Sequence, residues 1–259
     1  MNADIKQYCF SFLAPAMLLL ALVALVACDS STALEEAEAN TNDRSDLPAV
    51  FQQFASTVQV YQDGDFVVLE SDGVPNHESP YFNTSDSRHA DYDGDNTDFQ
   101  LNPNRITEQD LTLRIPLNPL EATNHEATPL GAIGMALNGV PIFNQYAGPG
   151  RPLTFEIDSF DQYNGHPQQF GAYHYHVEPV YLTVTNGRES LVGFLLDGFP
   201  VYGPVENGQV VTNADLDEFH GHIGVTVDYP DGIYHYHITA EDPYINGAGF
   251  YGTAGTVSQ

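Results

Sequence analysis

Two identical tetrapeptides, Tyr173-His174-Tyr175-His176 and Tyr234-His235-Tyr236-His237, put two His-x-His pairs into one chain. In an extended strand successive side chains point to opposite faces. His174 and His176 would then share one face, with Tyr173 and Tyr175 packing on the other. Two imidazoles held side by side on a stiff backbone are a ready pair of metal ligands. Each pair is preceded by a Gly-His, at His166 and at His222. Three imidazoles per set leave an open coordination position, the pattern of catalytic zinc and of several copper and iron sites. Asp161 and Asp217 lie just upstream and are candidates for a fourth ligand, or for acceptors that fix the imidazole tautomers. The competing reading is a strand whose histidines hydrogen-bond backbone or carboxylate groups in a polar core. The tyrosines read as packing residues.

The repeat reaches beyond the four letters. Gly134-Met135-Ala136-Leu137-Asn138-Gly139-Val140-Pro141-Ile142-Phe143 aligns with Gly193-Phe194-Leu195-Leu196-Asp197-Gly198-Phe199-Pro200-Val201-Tyr202, and Asp161-Gln162-Tyr163-Asn164-Gly165-His166 with Asp217-Glu218-Phe219-His220-Gly221-His222. The offset is about 60 residues, which makes internal duplication the first structural reading, with units of about 131–180 and 190–240. A shorter echo, Asp72-Gly73-Val74-Pro75-Asn76-His77, matches only the turn. The loops from Gly-His to His-x-His differ in length, so one composite site between the halves and two equivalent sites both stay open. The composite version predicts at least four of the six imidazoles in one pocket of about 10 Å.

These stretches, from Val60 to Gly252, resemble the YHYH proteins, a family named for the tetrapeptide. The resemblance implies a fold neighbourhood and a set of candidate residues but no reaction. A Cys found in some members is replaced here by Phe219 and Phe250, so no disulfide carries over.

The elements that must hold these histidines read as strands. Apolar or alternating runs cover Thr57 to Tyr61, Phe66 to Glu70, Leu111 to Leu117, Ala132 to Leu137, Val180 to Thr185, Leu191 to Leu196 and Ile223 to Val227. Between them stand Asp63-Gly64, Asn138-Gly139, Asn186-Gly187, Asp197-Gly198 and Asn207-Gly208, strong hairpin signals. Pro141 and Pro200 cannot donate to a central ladder. The repeated Asn/Asp-Gly-x-Pro is thus a tight hairpin tip, with a direct role for Asn138 and Asp197 as the alternative. No window carries a helical apolar stripe. The expected fold is mainly β, an antiparallel sandwich or barrel with internally duplicated halves and few short helices, chiefly around Ala214 to Phe219.

Composition limits the partners. The formal net charge is −28, and the only Lys is Lys6. Such a surface repels phosphate backbones, so nucleic acid is excluded. The acid excess would instead concentrate cations or reflect a salty habitat. Phe10 to Ala27 is an apolar run ending in Leu25-Val26-Ala27-Cys28, the pattern of a lipoprotein signal peptide with Cys28 as the lipidated residue. A transmembrane anchor is the alternative. Residues 1–27 are then the signal peptide, 28–48 an acidic disordered tether and 49–259 the β domain. Anchorage of the lipid in a bacterial envelope follows, with Asp29 favouring the inner membrane, at the periplasmic face or cell surface. Cys9 leaves with the leader, so the mature chain keeps no free thiol.

The expected function is therefore a lipid-anchored envelope protein that binds zinc or copper, with metal-dependent catalysis as an extension. The alternative is a metal-free domain whose Tyr and His line a cleft for carbohydrate or another small ligand. A cupin-like His-x-His…Glu set involving Glu178 or Glu241 lacks that family's glycine spacing. Asp91, Asp93 and Asp95 alternate as in a calcium loop, but Asn96 stands where an EF-hand needs Gly. Serine-hydrolase, nucleotide-loop and His-Glu-x-x-His signatures are absent from the sequence.

Overall fold

The computed structural model describes residues 44–259. The proposed leader, Cys28, most of the acidic tether and the Ala-Glu stretch near Leu34 lie outside them. Three strands open the domain: β1 (Gln59–Asp63), β2 (Phe66–Ser71) and β3 (Leu111–Pro116). The first half-unit follows with β4 (Ala132–Ala136), β5 (Pro141–Phe143), the small hairpin β6 (Tyr146–Ala147) and β7 (Arg151–Pro152), then β8 (Gly165–Pro167) and β9 (Tyr173–Tyr175). After helix α1 (Val180–Asn186) the same order recurs: β10 (Leu191–Leu195), β11 (Pro200–Tyr202), hairpin β12 (Val205–Glu206) and β13 (Gln209–Val210), β14 (Gly221–Gly224) and β15 (Ile233–His237). The last strand, β16 (Thr256–Ser258), returns to pair with β3.

Two open sheets result. One has the order β1-β2-β3-β16, the other β14-β15-β11-β10-β4-β5-β9-β8. Read inward from either end, the large sheet repeats itself and meets at β4 and β10, which pair antiparallel through Gly193↔Ala136, Phe194↔Met135 and Leu195↔Gly134. The duplicated halves thus join edge to edge. The barrel alternative falls away because neither sheet closes, and the antiparallel rule breaks twice, where β5 runs parallel to β9 and β11 to β15.

Burial follows from position in the sheets. In β3 the apolar Leu111, Leu113 and Ile115 alternate inward while Thr112 and Arg114 are half-buried, the period of a strand with one wet face. Strands β4 and β10, central in the large sheet, are buried along their whole length, as strands covered on both faces must be. Both sheets contribute to one core, with Val60, Val67, Leu69 and Leu113 beside Ile133, Met135, Ile142 and Phe194. Phe51 stacks on Phe194 at 4.7 Å.

The hairpin tips lock the sheets together. Gly139 and Gly198 have φ of 85° and 83°, and a Cβ at either would lie 2.4 Å from Ser71 Oγ or 2.5 Å from the Pro116 carbonyl oxygen. Both demands, a left-handed backbone and no side chain, select glycine. Asp63-Gly64, Asn138-Gly139, Asp197-Gly198 and Asn207-Gly208 all sit at hairpin turns. Asn186-Gly187 does not: it ends α1, with Gly187 at φ 103° donating its N–H to Thr183.

That helix corrects the strand expected over Val180 to Thr185. Its β-branched residues favour strands, but Pro179 sets a helix-ready φ at the N-cap and Glu178 accepts from Thr183 Oγ1 at 2.7 Å, so local context overrides propensity. Ile223 to Val227 also falls short, since β14 stops at Gly224. The turn expected around Ala214 to Phe219 is a single 3-10 turn, Asn213–Asp215, closed by a capping box between Thr212 and Asp215.

Candidate metal centres

Strands β8 and β9 pair antiparallel with His166 directly opposite His174, and β14 and β15 pair with His222 opposite His235. Residues opposite each other share a face, and a residue two positions on joins them. Alternation therefore gathers three imidazoles at each end of the large sheet. In the first centre His174 Nε2 lies 3.1 Å from His166 Nε2 and 3.0 Å from His176 Nε2. In the second, His222 Nε2 and His235 Nε2 are 3.1 Å apart, with the His237 ring beside both.

The proton positions follow from the other ring nitrogens. His174 Nδ1 is 3.0 Å from the Ala172 carbonyl, His176 Nδ1 2.5 Å from that of Asn144, His235 Nδ1 3.0 Å from that of Ile233 and His237 Nδ1 2.9 Å from that of Gly203. A carbonyl only accepts, so each Nδ1 carries the hydrogen and each Nε2 a lone pair. Ser159 Oγ donates to the Glu156 carbonyl and stands 2.7 Å from His166 Nδ1, which fixes the same tautomer there. The first centre thus points three lone pairs at one another with no proton between them. His237 Nε2 is buried without a hydrogen-bond partner.

Burial holds the rings neutral. Desolvation pushes His166 down to about 3, helped by the neighbouring His176, and takes His176 and His237 down to about 4. His174 falls well below the ordinary imidazole range for the same reason. Phe143 stacks on His174 at 4.0 Å and Phe160 lies edge-on to His166 at 4.8 Å, an apolar wall around the first centre. The second centre is wetter, because the His222 side chain is 30 % exposed.

A carboxylate faces each set. Glu156 Oε2 lies 3.8 Å from both His166 and His176 Nε2. Glu206 Oε1 is closer, 3.5 Å from His222 and His235 and 3.9 Å from His237. Among the described residues, Glu206 with His222, His235 and His237 forms one group able to hold a metal ion, and His166 with His174 and His176 forms the other. Sequence reading missed both glutamates. Glu156 caps a 3-10 turn after β7 and Glu206 ends β12, so they occupy unlike positions in the two halves and no repeat flags them.

The expected aspartates serve the opposite face. Asp161 accepts from Tyr173 and Ser79 hydroxyls and from backbone N–H of Tyr163 and Gly165, while Asp217 accepts from Tyr234 and from Phe219 and Gly221 N–H. Their assignment as fourth ligands or imidazole partners is corrected on this geometry, since strand alternation sends the tyrosines, and the carboxylates that meet them, away from the histidines. The second tyrosines behave alike: Tyr175 accepts from Asn138 at 3.1 Å and Tyr236 donates to Asp197 at 2.6 Å. Asn138 and Asp197 are therefore hairpin tips that also anchor the motif strands. Desolvation raises Asp161 and Asp197 to about 6 against the pull of these hydrogen bonds. All four tyrosines are buried, so they do not line a ligand cleft.

The composite pocket is corrected too. Four strands separate β9 from β15, a span of about 24 Å at about 4.8 Å per strand step. Each Gly-His instead joins its own pair. His77 belongs to the tyrosine face, with Nε2 2.9 Å from Tyr175 Oη. His220, at the place of Asn164, contacts Thr239 Oγ1 at 3.0 Å, and both positions adopt positive φ. Asp91, Asp93 and Asp95 do not form a ligand group among the described residues.

A family model described as YHYH protein matches residues 112–209 and 205–249, which contain both centres. None of the curated proteins compared with the chain matches it, and no solved structure does.

Proposed function

The chain belongs to the YHYH protein family, and from its two imidazole triads we propose that it is a transition-metal-binding protein. The observation that carries this reading is the set of Nε2 lone pairs 3.0–3.1 Å apart in the first centre. Neutral acceptors repel at that separation, whereas a cation with metal–nitrogen bonds of about 2.0–2.1 Å in tetrahedral geometry sets its donors roughly 3.3 Å apart. Small outward shifts of the rings suffice. Glu156 and Glu206 each stand within reach as an oxygen donor or as the acceptor for a metal-bound water.

The donor set is three imidazoles and a carboxylate without sulfur. It suits zinc or copper(II) and disfavours copper(I), which prefers thiolate and thioether ligands. A water held at the fourth position would be acidified towards neutrality, so hydrolytic chemistry is the catalytic extension. Glu156 or Glu206 would receive its proton. The lipoprotein pattern ending at Cys28 supports anchorage to an envelope membrane, where the acidic surface would gather cations.

Elemental analysis of the purified chain, before and after chelation and reconstitution, tests the reading. Two equivalents of zinc or copper per chain are expected, with electron paramagnetic resonance distinguishing copper(II). Less than one equivalent after reconstitution, together with a Tm that chelator leaves unchanged, would sink it.

A further inference from the structure

Among the described residues, six of the eleven large exposed apolar side chains gather at the triads: Leu101, Leu130, Tyr146 and Phe155 line the cleft at the first, and Val225 and Val227 the pocket at the second. Apolar groups gathered at the mouth of a polar site mark a binding surface. The two openings differ in scale, with about 940 Å³ at the first centre and about 270 Å³ at the second. Only the first has room for an extended ligand.

The walls of the larger cleft define what fits. Phe155 is 88 % exposed and Tyr146 43 %, two rings of the lining presented to solvent. Gln100, Gln168 and Gln169 line the same cleft, and their side-chain amides make no hydrogen bond to the described residues. Asn102 and Asn104, by contrast, are spent on the Pro167 carbonyl. Neither nearby guanidinium lines the cleft; Arg105 bonds the Asn102 and Asn104 carbonyls and Arg151 that of Gly148. The charges in the wall are Glu156 and Asp158, which repel anions.

Exposed rings able to stack on a flat apolar face, amides that both donate and accept, and a wall without a cation describe a site for an uncharged polyhydroxylated chain. We infer that the cleft at His166, His174 and His176 binds a neutral oligosaccharide, with one sugar stacked at the Phe155 and Tyr146 rings, hydroxyls paired with the free glutamines, and the innermost hydroxyls directed at the metal. The inference rests on the metal reading of that centre. The second centre, in its small valine-rimmed pocket, takes no part.

Calorimetric titration of the full, metal-reconstituted chain with tetrasaccharides of glucose, xylose and N-acetylglucosamine tests it, with tetragalacturonate and tetra-alanine as anionic and peptide probes. Metal content is measured on every sample. At least one neutral tetrasaccharide should bind, and Phe155→Ala and Gln168→Ala should each weaken it about tenfold or more while retaining two equivalents of metal. Leu120→Ala, at an exposed residue that lines neither pocket, should change nothing. A fully metallated chain that binds no neutral tetrasaccharide, prefers either control probe, or is indifferent to both substitutions overturns the inference and leaves the metal reading standing. A folded chain that takes up no metal overturns the metal reading instead.

Discussion

Removing one oxygen from Tyr236 separates the two faces of the motif strand. Tyr236 lies between His235 and His237, yet its hydroxyl donates to Asp197 at 2.6 Å and accepts from the Tyr251 N–H at 2.8 Å. Tyr236→Phe keeps the ring in a fully buried site and deletes only these bonds. A hydrogen bond to a carboxylate contributes about 1.5–3 kcal/mol, and a buried N–H left without a partner costs about 1–3 kcal/mol. Asp197 keeps the Gly252 and Phe199 N–H donors, so the low ends apply and about 2.5 kcal/mol is expected. For a domain of this size that is a Tm fall of about 5–10 °C. Calorimetry on the metal-free chain reads the stability, and elemental analysis after reconstitution reads the sites. Metal content should stay at two equivalents, because the histidines project from the other face. A Tm fall under about 2 °C, or loss of metal from a chain that keeps its Tm, would refute the assignment of the tyrosines to anchoring.

His174→Ala and His237→Ala should each remove one equivalent of metal and together both, whereas His89→Ala, whose Nδ1 donates to the Phe82 carbonyl, should remove none; parallel loss from either single change would contradict independent centres. Acid should weaken the metal-free fold between about pH 6.5 and 4. Burial lowers seven histidines (77, 166, 174, 176, 220, 235 and 237) in the folded state, so unfolding takes up protons there and stability present above that window is lost as pH falls. Asp161 and Asp197, raised to about 6, act in the opposite sense as pH rises from about 4 to 6, but two groups do not offset seven; a urea midpoint that stays level across the window counts against the buried neutral rings. Cys28→Ser should release the chain from membranes or block its processing, and continued attachment with the leader uncleaved would indicate a spanning anchor.

The strand period and the repeat were enough to place six imidazoles on one side of their strands and four tyrosines on the other. They also located the hairpins, because Asn-Gly and Asp-Gly encode a left-handed backbone locally. What the sequence hid is long-range. Glu206 reaches its histidines from a hairpin that precedes β14, and Glu156 from the 3-10 turn after β7, so the repeat does not align them. Nor does a strand pattern reveal its neighbours: the parallel joins of β5 to β9 and β11 to β15 place the triads at opposite ends of a sheet rather than across an interface. Val180 to Thr185 misled because strand propensity was weighed without the proline and glycine that bound a seven-residue helix.

The antiparallel seam between β4 and β10 has the geometry of an isologous contact, in which one surface meets a copy of itself. In a homodimer built that way, every substitution at one centre would appear at the other as well. Covalent fusion lifts that constraint. Phe143 on one side and Tyr202 on the other, a glutamate from a turn and a glutamate from a hairpin, a wide cleft and a narrow pocket are differences that a two-chain assembly of identical subunits could not hold. One imidazole triad is free to specialise for a ligand while its twin keeps the seam symmetric.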